Sequence, residues 1–133
     1  MSDTTGAKCG CSCSAAPTLI FSCSGAADVG ELSDCVARQL TREGKGKMFC
    51  LAGIGGRVSG IVKSTESAEA ILVIDGCSLN CAKKCLEQAG FTKFNHIQIT
   101  ELGFAKGHCP ITDEAVSKVV EVAQNHLRQG TCP

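Results

Sequence analysis

The sequence predicts an α/β fold, a three-layer Rossmann-like sandwich whose mainly parallel sheet has four or five strands. Strand-like and helix-like segments alternate four times along the 133 residues, a pattern typical of a parallel sheet with helices on both faces. Residues 71–74 are all apolar and mostly β-branched, as expected for a central parallel strand. The chain also contains 15 glycines, which favour tight turns between consecutive elements.

The first half of the chain contains two predicted strand–helix units. Residues 18–22 are predicted to form a short buried strand. The helix after it has Asp28 as its expected N-cap and Gly44 at its expected end. Residues 47–51 are predicted to form the second strand, and a helical stretch follows around residues 58–62. The apolar face of the first helix is formed by Val29, Leu32, Val36 and Leu40.

The second half contains two further units. After the strand at residues 71–74, Ser78 is expected to cap a helix that ends at Gly90, and a weaker fourth strand lies within residues 96–100. Thr112 is the expected N-cap of the last helix. The side chains expected to face the core from the third helix are Leu79, Ala82, Leu86 and Ala89. Those of the last helix are Val116, Val119, Val120, Ala123 and Leu127.

Length, charge and hydropathy indicate one domain, residues 17–133, after a polar and flexible tail formed by residues 1–16. The formal net charge of +0 disfavours a nucleic-acid or anionic-membrane partner, since both favour a basic excess. No apolar run approaches the length of a membrane span, and the N-terminus lacks the apolar core of a secretory signal. These features favour a cytoplasmic protein.

Cysteine is the most unusual feature of the composition, with 11 in 133 residues. An odd number cannot be paired completely within one chain. In a reducing cytosol, clustered cysteines are more often metal ligands or reactive thiols than disulfides. Cys9, Cys11 and Cys13 lie in the tail, where we interpret them either as a soft-metal capture arm or as part of a disordered segment.

Three cysteines follow three different predicted strands. Cys23, Cys50 and Cys77 therefore share the carboxyl edge of the predicted sheet, and Cys81 lies on the helix after the third strand. Neighbouring strands are about 4.8 Å apart, and short loops can bring sulfurs to the separation of about 3.8 Å that a tetrahedral zinc site requires. Nearby helix N-termini are expected to lower the pKa of Cys23, Cys77 and Cys81, which favours the metal-binding thiolate. The pattern predicts a zinc site; the alternative is that each cysteine packs as a small hydrophobic group.

Other residues are weaker candidates. Cys35 is expected to pack in the core, and Cys85 is interpreted as a core residue or a spare ligand. The expected bystander cysteines are Cys109 and Cys132, and the expected surface histidines are His96, His108 and His126. Arg57 is a candidate to screen thiolate charge. Lys83 and Lys84 are further candidates, although the favoured interpretation of these two lysines is a solvated face. The sequence lacks a Cys-x-x-Cys pair, a Cys-x5-Arg phosphatase loop and a glycine-rich nucleotide-binding fingerprint.

Three longer motifs resemble the DGC-domain proteins, a prokaryotic family to which zinc binding is attributed. They span residues 23–30, 47–56 and 74–84, and residues 100–103 and 106–107 are also similar to the family. The resemblance covers nearly all of the chain after Pro17. It implies that Cys23, Cys50, Cys77 and Cys81, which match the family's motif cysteines, are the metal ligands.

The first functional hypothesis is therefore a zinc-binding protein with a cysteine-thiolate site at the carboxyl edge of the sheet. Such a site suits metal sensing, metal delivery or thiol chemistry. One alternative is a metal-free, cysteine-dependent enzyme for redox chemistry or for sulfur or selenium transfer. Another is a module that binds an iron–sulfur cluster, since thiolate ligation does not by itself select zinc over iron.

Overall fold

A computed structural model describes residues 17–129. The predicted tail with Cys9, Cys11 and Cys13, together with Cys132, lies outside the described residues. Within the described part, four strands form one all-parallel sheet in the order β2-β1-β3-β4. The strands are β1 (Thr18–Ser22), β2 (Lys47–Met48), β3 (Ala70–Asp75) and β4 (Asn95–Gln98). The predicted parallel α/β sandwich is confirmed.

Helices cover both faces of this sheet. In chain order they are α1 (Asp28–Arg42), α2 (Leu51–Gly55), α3 (Ser59–Glu66), α4 (Cys81–Gln88) and α5 (Asp113–Gln129), with a 3₁₀ turn at Ile99–Leu102. Side chains that alternate along β1 and β3 point into two separate cores. Ile20 and Leu72 pack with α1 and α5 on one face, whereas Phe21 and Val73 pack with α2 and α4 on the other.

The second predicted strand is shorter than expected, because the chain turns into a helix at Cys50. The last hydrogen bond from this segment to β1 is donated by the Phe49 N–H to the Ile20 carbonyl, at 2.8 Å. The Cys50 carbonyl then accepts the N–H groups of Gly53 and Ile54, which starts α2. The prediction of strand structure at residues 49–51 was therefore wrong, and the short helix α2 was missed.

Two predicted helix starts were also wrong, and a third is confirmed. Helix α4 begins at Cys81 rather than after Ser78, so Leu79 lies in the preceding loop and is 58% exposed instead of facing the core. Ala27, not Asp28, is the N-cap of α1. Thr112 does precede α5, and its hydroxyl accepts the Ala115 N–H at 3.1 Å.

Two glycines allow the loops after β1 and β3 to meet the start of α1. A Cβ atom on Gly76 would lie 2.8 Å from the Val29 carbonyl carbon and 2.9 Å from the Gly30 nitrogen. A Cβ atom on Gly30 would lie 2.8 Å from the Gly25 carbonyl oxygen. All of these neighbours are backbone atoms, which cannot rotate away. The absence of a side chain at both positions therefore allows the two loops to lie close to the start of α1.

We expect Gly76→Ala to lower the free energy of unfolding by about 1–3 kcal/mol, because the added methyl group would overlap the α1 backbone. The matched control is Gly60→Ala in α3, where an added Cβ meets no atom within 4 Å. Since alanine favours helix over glycine, the control is expected to be neutral or stabilising by up to about 1 kcal/mol. Urea unfolding followed by circular dichroism measures both, and equal effects of the two substitutions would contradict the packing argument.

Candidate thiol site

β1 and β3 are neighbours in the sheet, and the strand order reverses between them. Helix α1 follows β1 on one face, and α4 follows β3 on the other face. The two connections diverge and leave a crevice at the carboxyl ends of these strands, the usual ligand position in open α/β sheets. Cys23 directly follows β1, and Cys77 follows β3 by two residues.

Three of the four predicted ligand cysteines meet in this crevice. Cys23, Cys77 and Cys81 line one cavity of about 200 Å³, together with small residues from the loop before α1. Cys23 and Cys77 are half-buried, and Cys81 is exposed. The buried hydroxyl of Ser33 in α1 donates to the Cys23 carbonyl, which holds the loop after β1 against the helix. We call the three cysteines the thiol site.

The fourth predicted ligand lies elsewhere. Cys50 is exposed and lines a separate, larger groove, which it shares with Cys85. Its role as a metal ligand stays a prediction. Cys35 is half-buried on α1, and Cys109 is 4% exposed and packs in the core beside α5.

A cation to which the sequence analysis gave no role lies beside the thiol site. Lys106 comes from the loop after the 3₁₀ turn, and its Nζ is 3.7 Å from Cys77 Sγ. Lys106 is 29 positions from Cys77 in the sequence, so the local spacing of residues does not predict this contact. Arg57, one of the cations predicted to screen the thiolates, instead donates to the carbonyl oxygens of Ile54, Gly55 and Gln88. It joins α2 to the end of α4.

Asp28 holds the loop that carries Lys106. Its carboxylate accepts the N–H groups of Gly107 and Cys109, both at 3.0 Å, and that of Val29 at 2.8 Å. The backbone N–H groups of Gly107 and Cys109, with a smaller contribution from Val29, hold the pKa of Asp28 below its ordinary value. The residue predicted as a helix cap therefore connects the start of α1 to a distant loop.

Asp75 has a similar role on the other side of the site. This carboxylate is 1% exposed, and it accepts the N–H of Ala82 at 2.7 Å and that of Lys83 at 3.0 Å. Asp75 therefore caps α4, although it precedes Cys81, the first residue of the helix, by six positions. His96 Nε2 in β4 lies 2.9 Å from the same carboxylate. His96 is thus a partner of Asp75 rather than only the surface residue that the sequence suggested. Together these contacts position Cys81, the first residue of α4.

The electrostatics of Cys81 differ from the prediction. Although much of Cys81 is exposed, desolvation of its sulfur and the nearby Cys23, Asp75 and Cys77 raise the pKa of the thiol. The expectation of a lowered pKa at the helix N-terminus was therefore wrong. Desolvation, the Asp75 carboxyl group and the two neighbouring sulfurs together outweigh the positive end of a short helix. In such a cluster, a nearby cation would strongly stabilise the thiolate form of the cysteine.

Soft thiol donors fit zinc, and each cysteine can reorient by rotation about one side-chain bond. Within residues 17–129, however, no group of three or more His, Cys, Asp or Glu side chains is already arranged to hold a metal ion. The three sulfurs share a cavity without forming a coordination shell. In the same part of the chain, none of the helices has the length and apolar character needed to cross a bilayer.

Comparison with known proteins identifies a family match and a similar protein. The profile of the DGC domain matches residues 19–123. The "Anaerobic and virulence modulator AnvM" of Pseudomonas aeruginosa is 36% identical over 88 residues, which cover 66% of this chain and 67% of the relative. No solved structure matches the chain.

We expect Asp28→Asn to reduce stability at neutral pH but not at strongly acidic pH. Because the folded-state pKa of Asp28 lies below its ordinary value of 3.8, the stabilisation by its carboxylate is fully present above pH 3.8 and is lost as the pH falls through the folded-state value. Urea unfolding of both proteins over this pH range measures the effect. A stability difference that does not shrink in acid would show that the charge of Asp28 is not responsible.

Proposed function

This chain belongs to the DGC-domain family, and we propose that it binds a zinc ion through the thiolates of Cys23, Cys77 and Cys81. The observation that carries the proposal is the convergence of three cysteines from two β–α junctions on one cavity at the crevice between β1 and β3. Thiolates are preferred zinc ligands, and short β–α loops allow small adjustments of each sulfur.

The charges around the site support a bound cation. The pKa of Cys81 is raised by desolvation and by the neighbouring Cys23, Asp75 and Cys77. Three thiolates in this cavity would repel each other strongly. A divalent ion would remove that repulsion, and the Lys106 ammonium would offset part of the remaining negative charge. Zinc, when bound, would act there as a Lewis acid with a position for a further ligand.

We further propose that the fourth coordination position is exchangeable and that the protein senses or delivers metal. Cys50 lines a different groove, so three protein thiolates would leave one position for water or a partner's ligand. Two apolar cores on either side of the sheet already stabilise the fold, so a metal is not required for folding as it is in a zinc finger. The relative's name describes a modulator, and reversible metal occupancy is suited to that kind of role.

Elemental analysis of the anaerobically purified chain tests the zinc proposal. We expect about one zinc ion per chain, and Cys77→Ser and Cys81→Ser should each weaken zinc affinity by more than about tenfold, because each removes a ligand. Cys35→Ser on α1 is the matched control and should retain its zinc. Competition with a chelator measures the affinity of each variant.

The same series identifies the fourth ligand. Unchanged affinity in Cys50→Ser supports an exchangeable position, whereas a loss as large as that of Cys77→Ser would make Cys50 a ligand, as the family resemblance implies. Zinc-free protein, or zinc that is insensitive to every thiol-site variant, would refute the proposal. A visible absorption band with bound iron would instead favour an iron–sulfur cluster.

A metal-free thiol enzyme is the second candidate, favoured by the contact between Lys106 and Cys77. An ammonium group beside a sulfur stabilises a nucleophilic thiolate. If this candidate is correct, Cys77 should react rapidly with iodoacetamide near neutral pH, and Lys106→Met should slow that reaction by about threefold to tenfold. If zinc occupies the site, Cys77 should react slowly in the loaded protein and Lys106→Met should keep its zinc. Peptide mapping by mass spectrometry distinguishes the two outcomes.

A further inference from the structure

A second cavity lies at the same edge of the sheet, beside β1 and the edge strand β2. It is an open groove of about 920 Å³ between α1 and α2, and it is separate from the cavity of the thiol site. Its volume is within the range of about 300–1,000 Å³ found for small-molecule sites. Its position at the carboxyl ends of parallel strands is also that of ligand sites in this class of fold.

One wall of the groove is apolar and held in place. Met48, Phe49 and Leu51 line it, and all three are half-buried. The Phe49 ring packs edge-on against the fully buried Phe21, with ring centroids 6.1 Å apart and planes at 82°. This contact limits rotation of Phe49 and leaves a fixed aromatic surface in the groove. Such a surface suits a planar apolar group.

The opposite wall, from α1, carries two guanidinium groups. Arg38 donates from Nε to Asp34 at 2.8 Å, and Arg42 donates from Nη2 to Gln39 at 2.9 Å. Asp34 also accepts the Ser24 hydroxyl at 2.7 Å, so its carboxylate is already bonded from two sides. The charged groups of the groove are Asp34, Arg38 and Arg42, which leaves one excess positive charge.

Among residues 17–129, the other N–H groups of both guanidinium groups have no protein acceptor. An anionic group with an apolar body would therefore meet donors on one wall and the aromatic surface on the other. We propose that this groove binds a small ligand that combines a planar apolar body with a single anionic group. The site is distinct from the thiol site and does not depend on zinc.

Two fluorescent probes of matched shape test the charge selection in the full-length protein. 1-Anilinonaphthalene-8-sulfonate combines a planar, apolar naphthalene ring with one sulfonate anion, and N-phenyl-1-naphthylamine is its uncharged counterpart. We expect saturable binding of the sulfonate and weaker binding of the amine. Combined Arg38→Gln and Arg42→Gln substitutions should weaken sulfonate binding by about threefold to tenfold and leave amine binding unchanged. Lys63→Gln, an exposed charge on α3 outside the groove, is the control.

Cysteine alkylation locates the bound probe. Cys50 and Cys85 line the groove, whereas Cys35 does not, so the sulfonate should slow the reaction of Cys50 with iodoacetamide at least about fivefold and leave Cys35 unaffected. Zinc content is held constant throughout, which keeps this result separate from any role of Cys50 as a ligand. Ala52→Phe should abolish both binding and protection, because Ala52 is an exposed residue of α2 inside the groove.

Several results would overturn the proposal. They are the absence of saturable sulfonate binding, equal binding of the two probes with no effect of the arginine substitutions, and unchanged alkylation of Cys50. Protection of Cys50 that rises with protein concentration in the absence of a probe would also overturn it, since a second copy of the chain would then occupy the groove. Retained far-ultraviolet circular dichroism in each variant excludes unfolding as the cause of lost binding.

Discussion

The buried carboxylate of Asp75 joins the elements that form the thiol site. It ends β3, accepts two N–H groups at the start of α4 and contacts His96 in β4. A buried carboxylate needs such partners, because an unpaired one would be costly. The contacts hold the first turn of α4, which begins at Cys81, beside the loop that carries Cys77. The positions of two of the three site cysteines therefore depend on a residue that lines neither cavity.

Asp75, Gly76 and Cys77 are consecutive residues with different roles. Asp75 caps α4, Gly76 permits backbone contact with the start of α1, and Cys77 presents its sulfur to the cavity. Asp28 completes the arrangement by holding the loop of Lys106 above the same crevice. The site is rigid where backbone atoms meet and adjustable at the thiol side chains. The sulfur positions can therefore change by side-chain rotation without rearrangement of the sheet.

The carboxyl edge of the sheet presents two cavities with different chemistry. The thiol site is small and concentrates groups that become negative, whereas the groove is larger and has an excess of positive charge beside an apolar wall. The loop after β1 borders both, since Cys23 lines one cavity and its neighbour Ser24 lines the other. A ligand in either cavity would therefore lie beside the same short loop.

The amino-acid pattern alone was sufficient to predict the class of fold, the strand β1 with its bounds and the start of α5, because apolar periodicity and local capping depend on neighbours in sequence. It also predicted that Cys23, Cys50 and Cys77 lie at one edge of the sheet with Cys81 on the following helix, since parallel strands end on the same side. Contacts between distant segments could not be predicted in this way. The contact of Lys106 with Cys77, the capping of α4 by Asp75 and the location of Cys50 in a separate groove arise from packing, which brings together residues whose spacing carries no local signal.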